Sequence, residues 1–313
     1  MRLSLDPAAR ITLEIEGPFD FGTTVHKPAG WSWSTPEEVF EKGTLWTGIH
    51  VGGEAVGLKL RAKGPRVSVT VYTAEQIEKE QREVLRATLA RALGEGEDIE
   101  GFYRFARKDP LLKKVTADRR GMRVGRLDEL FGRVILAITL QMAPMSRSNA
   151  MMRALLELYG TTVAFDSREL TLFPTAERLA KVKESELRSK AKLGYRATRL
   201  LDAAKYLAKN PTTMADFDEL TDEKAVKKIQ DIPGIGIYSA GIVLGRSAPI
   251  DSWSVILMSE LLLGKTPEHP RQEIEEVTRV VEERWGKWSW YGFAYILNDL
   301  ENLAKEYPLT RLT

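Results

Sequence analysis

The chain has no cysteine, and that absence removes disulfides, thiol nucleophiles, iron–sulfur clusters and cysteine-ligated zinc. Histidine is nearly as scarce: His26, His50 and His269 share no helical or hairpin spacing, so a transition-metal centre is not expected. No run near ~18 uninterrupted apolar residues occurs, and the first ten residues lack the apolar core of a signal peptide, so neither a membrane span nor secretion is expected. An excess of charge of one sign is missing too. The 46 Lys+Arg stand against 44 Asp+Glu, a net +2, so any nucleic-acid-binding surface must be local. Four Asn and five Gln, with dense charge, point to a heat-adapted source.

What remains is an ordinary globular composition, 43% hydrophobic and 29% charged over 313 residues, more than one core usually holds. Ile11, Leu13 and Ile15 alternate with polar residues, as do Val67, Val69 and Val71, the pattern of half-buried strands. Between them Pro28, Gly30, Pro36, Gly43, Gly48, Gly52, Gly53 and Gly57 punctuate a stretch holding Trp31, Trp33, Phe40 and Trp46, which reads as a small twisted antiparallel sheet. From Thr73 the period becomes helical through Ile77, Val84, Leu85, Thr88, Leu89 and Leu93, and Gly94 and Gly96 end the run. After Asp98 everything reads as helix, loop, helix, with helices expected over 127–140, 145–158, 174–182, 196–207, 222–229, 239–244, 252–263, 270–284 and 291–305. The fold class is therefore mainly α: an amino-terminal α+β domain over 1–96 with an antiparallel sheet, then a helical domain over 97–313.

Residues 225–264 carry the chemistry. A helix ends near Ile229, a tight Pro233-Gly234-Ile235-Gly236 turn follows, and a second helix starts at once with Tyr238, Ser239 and Ala240. Glycines let a backbone approach a ligand closely, and the free amides opening the second helix suit a phosphate. Such a contact fixes position and register without reading sequence. A bare Gly-x-Gly turn by itself more often only connects two packed helices. Fifteen residues past Gly236, however, Pro249-Ile250-Asp251-Ser252-Trp253-Ser254 sets an acid at the head of a very apolar helix. Asp251 is also a good helix cap, and the two roles are compatible.

This segment resembles the HhH-GPD superfamily of DNA glycosylases, in which a helix-hairpin-helix precedes a catalytic aspartate. Gly121-Met122-Arg123, Leu127-Asp128-Glu129-Leu130, Phe173-Pro174-Thr175-Ala176-Glu177-Arg178-Leu179, Lys192-Leu193-Gly194-Tyr195-Arg196-Ala197 and Trp285-Gly286-Lys287-Trp288-Ser289-Trp290-Tyr291-Gly292 are similar to further landmarks in the family's order, over about two thirds of the chain. The branches indicated are the 3-methyladenine and 8-oxoguanine glycosylases that lack an iron–sulfur cluster, and two helical subdomains flanking a cleft are implied within 97–313.

The resemblance implies a monofunctional enzyme of base excision repair that flips a damaged base and hydrolyses its N-glycosidic bond, on an alkylated purine of the 3-methyladenine type. Asp251 would be the catalytic acid. Pro233, Gly234, Ile235, Gly236, Tyr238, Ser239, Gln141, Arg147 and Arg196 would contact DNA, with the loop from Gln141 through Met142 and Met145 to Arg147 entering the duplex. Tyr238, Trp253 and Trp288 would line a base pocket, whereas Trp285, Trp290, Tyr291 and Tyr295 are as readily explained by packing. Carbonyls of Gln230, Ile232 and Ile235 would hold a structural Na+ or K+. Bifunctional members carry a lysine where this chain has Tyr238, so no strand nicking is implied. The connection from hairpin to acid is several residues shorter than in most relatives, which leaves the placement of Asp251 to be tested. Implied partners are double-stranded DNA with a damaged base and no membrane, for a monomer at the nucleoid in a prokaryotic cytoplasm. Glycosylases for hypoxanthine, uracil or 8-oxoguanine, and a non-catalytic hairpin module for DNA binding, stay open at this point.

Overall fold

The structure, a computed structural model, describes residues 2–29, 37–127 and 129–310. Gly30, Trp31, Trp33 and Pro36 of the expected sheet region, and Asp128 of the expected helix opening, lie outside the described residues. Among the described residues the strands are β1 (Arg2–Ser4), β2 (Asp6–Glu14), β3 (Val39–Glu41), β4 (Thr44–Val51), β5 (Glu54–Lys63), β6 (Arg66–Thr73), β7 (Thr161–Phe165) and β8 (Arg168–Leu172).

Strands β2 to β6 make an antiparallel sheet in the order β2-β6-β5-β4-β3. Alternation sets its two faces. Ile11, Val69 and Leu60 stand side by side across three strands, as do Leu13, Val67 and Ala62, and they turn inward. After a single turn of helix, α1 (Phe21–Val25), the next helix α2 (Lys79–Ala92) covers that inner face with Leu85 and Leu89, both fully buried. Each such aliphatic side chain is worth about 1.5–3 kcal/mol of burial. Arg10, Thr12, Lys59, Arg61, Ser68 and Thr70 occupy the opposite face.

A second sheet corrects the expectation that everything beyond Asp98 is helical. β7 and β8 pair as a hairpin, and β1 joins β7 in parallel across about half the chain. Its turn is Asp166-Ser167, both at positive φ (47° and 60°), a two-residue connection matching strand twist without the usual glycine. The hairpin lies on part of the outer face of the larger sheet. There Phe165 comes so close to Gly57 that a Cβ at 57 would stand 2.6 Å from its ring.

The remaining helices are α3 (Ile99–Ala106), α4 (Pro110–Asp118), α5 (Leu130–Leu140), α6 (Met145–Tyr159), α7 (Ala176–Leu179), α8 (Glu184–Ser189), α9 (Arg196–Lys209), α10 (Asp222–Ile229), α11 (Ile237–Leu244), α12 (Ser252–Met258), α13 (Ile274–Trp285), α14 (Ser289–Asn298) and α15 (Leu300–Leu303). α3, α4 and α8 were not foreseen, although Asp98 and Asp109-Pro110 are readable caps. The expected 252–263 helix is α only to Met258 and continues as a wider π turn to Leu263. The expected 291–305 helix breaks at Asp299, whose buried carboxylate meets Arg119 Nε at 3.0 Å. No helix among the described residues is long and apolar enough to cross a membrane.

Two apolar cores organise these helices. The first gathers α5, α6, α9, α10 and α11 around Val134, Leu155, Leu200 and Val243. The second gathers α3, α4, α12, α13 and α14 around Phe102, Leu112, Val255 and Tyr295. The second is drawn from two stretches of sequence, one on each side of the first. The hairpin belongs to the first core and the acid-bearing helix to the second.

Candidate active site

The hairpin forms where the sequence places it. Thr221 caps α10 by accepting from the Lys224 amide, Asp222 and Glu223 complement the dipole, and Ala225 and Ile229 bury the inner side. The turn then passes through Gly234 at φ +85°, where a Cβ would stand 2.9 Å from Arg199 Cβ, so backbone and packing both require glycine. Gly236 is different. Its φ of −93° and ψ of −176° suit any residue, and a Cβ there would meet nothing within 4 Å. Nothing inside the molecule demands glycine at 236. The bare position leaves open the amides of Gly236, Ile237, Tyr238 and Ser239, which have no acceptor among the described residues and lie at the positive end of α11.

Asp251 caps α12. Its Oδ1 accepts from the amides of Trp253 (3.1 Å) and Ser254 (2.9 Å) and from Ser254 Oγ (3.0 Å). These three donors fix the carboxylate and leave Oδ2 facing α11, where the Tyr238 hydroxyl donates to it at 3.3 Å. That bond crosses between the two cores. The short connection therefore still returns the acid to the hairpin: Gly245, at φ +64°, stops α11, and Arg246 pins the loop to Leu220 O at 2.6 Å and Asp222 at 3.2 Å. Burial, and secondly the Asp251 carboxylate, push the Tyr238 phenol well above the usual tyrosine range, so it stays protonated. Of the lysines before the turn, Lys228 reaches back to Asp216 O at 3.1 Å and lies over Phe217, while Lys227 is exposed.

Gln141 is tied down rather than projecting. Its Nε2 donates to Gly234 O (2.8 Å) and Ser239 Oγ (2.9 Å), its Oε1 accepts from Arg199, and its carbonyl accepts from Arg196 Nε (2.9 Å) and Tyr195 OH (3.2 Å). Three expectations change accordingly. The Gln141 amide is not a free wedge, Arg196 is 2% exposed and serves Gln141 rather than a phosphate, and the Ser239 side chain is buried so that only its amide remains on offer. The exposed groups here are Met142 (77% exposed, φ +51°), which belongs to the loop expected to enter the duplex, and two not expected at the site, Ile237 (78%) and Tyr195 (45%), with Arg196 and Arg199 stacked over the Tyr195 ring. Arg147, in the first turn of α6, is exposed as expected, and the side chain of Met145 lies outside the described residues.

The aromatics divide by packing. Trp285 donates to Asp109 Oδ2 at 3.0 Å from full burial, and Tyr295 donates to Met122 O at 2.7 Å; both are core. Trp288 packs on Phe102 and Tyr291, and Lys287 sits 4.7 Å over its ring, so its place in a base pocket is not supported. Half-buried Tyr238 and Trp253 remain beside the acid. At the hairpin, the carbonyls of Gln230 and Ile235 accept no backbone donor among the described residues, and Ile232 O accepts only from Ile235 N at 3.2 Å, which leaves lone pairs suited to an alkali cation.

No family model matches the chain. DNA-3-methyladenine glycosylase of Bacillus subtilis (strain 168) is 23% identical over 205 residues, covering 64% of this chain. The match spans 66% of that relative, slightly under two thirds of its length. Among solved structures, 3-methyladenine DNA-glycosylase from Archaeoglobus fulgidus superposes with a TM-score of 0.71 at 20% identity, over 94% of this chain and 99% of the other. The 8-oxoguanine glycosylase/lyase of Clostridium acetobutylicum, in its apo form, gives 0.68 at 17% identity over 94% and 98%. The fold of this chain is therefore the one these two glycosylase structures share.

Proposed function

We propose that the chain is a monofunctional DNA glycosylase that extrudes a damaged base, an alkylated purine of the 3-methyladenine type, and hydrolyses its N-glycosidic bond. The observation carrying this reading is the Asp251 carboxylate, held by three donors on Oδ1 and presenting Oδ2 beside the hairpin. The hairpin amides grip a phosphate next to the extruded nucleotide, and Met142, raised by its left-handed backbone, enters the space the base vacates. As the bond breaks, positive charge grows on the sugar and the fixed carboxylate stabilises it. Asp251 then takes a proton from the incoming water, whose oxygen bonds to the sugar carbon, leaving free base, an abasic site and an intact strand. A cationic purine is already a good leaving group, and the faces of Tyr238 and Trp253 suit it. An alkali cation held by the carbonyls of Gln230, Ile232 and Ile235 would brace the hairpin without entering the chemistry.

The absence of strand nicking follows from Tyr238. A neutral phenol in the position of the attacking amine forms no imine with the sugar. The test is a panel of duplexes carrying 3-methyladenine, 7-methylguanine, hypoxanthine, uracil and 8-oxoguanine, scored for abasic sites by alkaline cleavage and for covalent adducts by borohydride trapping. Alkali-labile sites on the methylated purines without adducts are expected. Release of none of these bases would leave the hairpin a gripping device only, and a trapped adduct would overturn the monofunctional reading.

A further inference from the structure

Among the described residues, the outer face of the five-stranded sheet is covered only in part. The β7–β8 hairpin lies over one end, where Phe165 and Leu172 approach Gly57 and Gly48. At the other end a groove of about 540 Å³ is lined by the Pro7 to Arg10 segment, Lys59, Arg61, Ser68, Thr70 and Tyr72. A register shift between Pro7 and Ala9 in edge strand β2 forms one wall. Strand register brings cations to this face in rows. Lys59, Arg61 and Lys63 follow one another along β5, Arg10 stands across β6 from Lys59, and Arg66 adjoins Lys63. Hydroxyls of Thr12, Ser68 and Thr70 lie between them, and the acids alongside are Glu14, Asp166 and, across β4 from Arg61, Glu41, which pairs with Arg168. Asp166 takes Lys59 at 2.6 Å, whereas Arg10, Lys63 and Arg66 have no carboxylate partner among the described residues. In a chain of net charge +2, this concentration of one sign on a flat, hydroxylated strand face is local.

We infer that this face is a second duplex-DNA contact, separate from the hairpin, which holds backbone phosphates without reading sequence. Cations two residues apart along a strand repeat every ~6.6–6.8 Å, comparable to the spacing of successive phosphates, and the interleaved hydroxyls donate to phosphate oxygens. Bidentate arginines and serine or threonine hydroxyls are the usual backbone-contacting set.

The test neutralises Arg10→Ala, Arg61→Ala and Lys63→Ala together and measures affinity for undamaged duplex of about 40 base pairs across a salt series. A control removes three exposed, scattered cations, Lys79→Ala, Lys265→Ala and Arg271→Ala, with the same loss of charge. The sheet variant is expected to bind about tenfold more weakly at low salt with a salt slope shallower by about two to three, while the control stays near wild type. Arg10→Lys with Lys63→Arg should keep wild-type affinity, which separates lost charge from damaged folding. Equal losses in sheet variant and control, or no loss in either, would overturn the inference. Undamaged duplex reports no base release, so the outcome is independent of the glycosylase reading.

Discussion

Asp251 and Tyr238 form a hydrogen-bonded pair, and under the proposed function the first does the chemistry while the second holds it. Asp251→Asn keeps the cap geometry and removes the charge, so duplex affinity should stay within about twofold while the excision rate falls by about a thousandfold or more. Single-turnover base release against filter binding checks both. Tyr238→Phe deletes one hydrogen bond to Oδ2, worth about 1 kcal/mol, and should slow excision by roughly fivefold with little change in affinity. The two hairpin glycines give a sharper contrast. Gly234→Ala meets both a positive φ and Arg199, and should destabilise the fold by about 1–3 kcal/mol in denaturant. Gly236→Ala meets nothing inside the protein, so stability should be unchanged while DNA affinity drops. Hairpin, acid and tyrosine were legible in the sequence because they lie in one contiguous segment. The mutual engagement of Gln141, Arg196 and Ser239 was not, since three distant parts of the chain supply it and each looks like a free surface group alone.

At the scale of elements, Asp109 ties α4 to α13. Its Oδ1 accepts from the amides of Leu111 and Leu112, and its Oδ2 meets Arg284 Nε at 2.6 Å and Trp285 Nε1 at 3.0 Å. Burial works against the charge, but Arg284 and these donors hold the carboxyl below its ordinary value. A lowered folded-state value means stability present above about pH 4 and lost as the pH falls through the depressed value. Asp109→Asn should therefore lower Tm at neutral pH and flatten the acid limb of stability between about pH 4 and 2. α10 was placed to the residue, and α6 and α9 nearly so, because apolar periodicity and caps agree there. The β7–β8 hairpin was missed: Thr161 to Leu172 alternates correctly, but its Asp-Ser turn lacks the glycine that marks such connections.

Across the whole molecule, five tyrosines among the described residues have phenols pushed above the ordinary value: Tyr72 and Tyr159, and more strongly Tyr238, Tyr291 and Tyr295. For Tyr238, Tyr291 and Tyr295 burial is the first cause, with Asp251, Glu97 and Tyr103 as respective neighbours. A raised folded-state value makes their contribution complete below the unfolded value near about 10 and lost as pH rises beyond it. Alkaline unfolding should thus be cooperative and set in above about pH 10, with tyrosinate absorbance and loss of helical circular dichroism rising together. Tyrosinate appearing well before unfolding would contradict that coupling. The mainly helical class with an amino-terminal sheet was readable from periodicity. The interleaving of the two cores was not, because nothing in local pattern tells α3 and α4 to wait for α12 to α14.

That interleaving orders events during synthesis. β1 has no neighbour until Thr161 has been made, and Phe102 and Leu112 have no complete core until the chain passes Tyr295. Non-local pairing of this kind is slow, and domains complete in the order their last segments emerge. The hairpin is therefore complete before Asp251 is translated, and under the proposed function a chain cut off between Leu244 and Asp251 would carry the phosphate-binding turn without the carboxylate that releases the base.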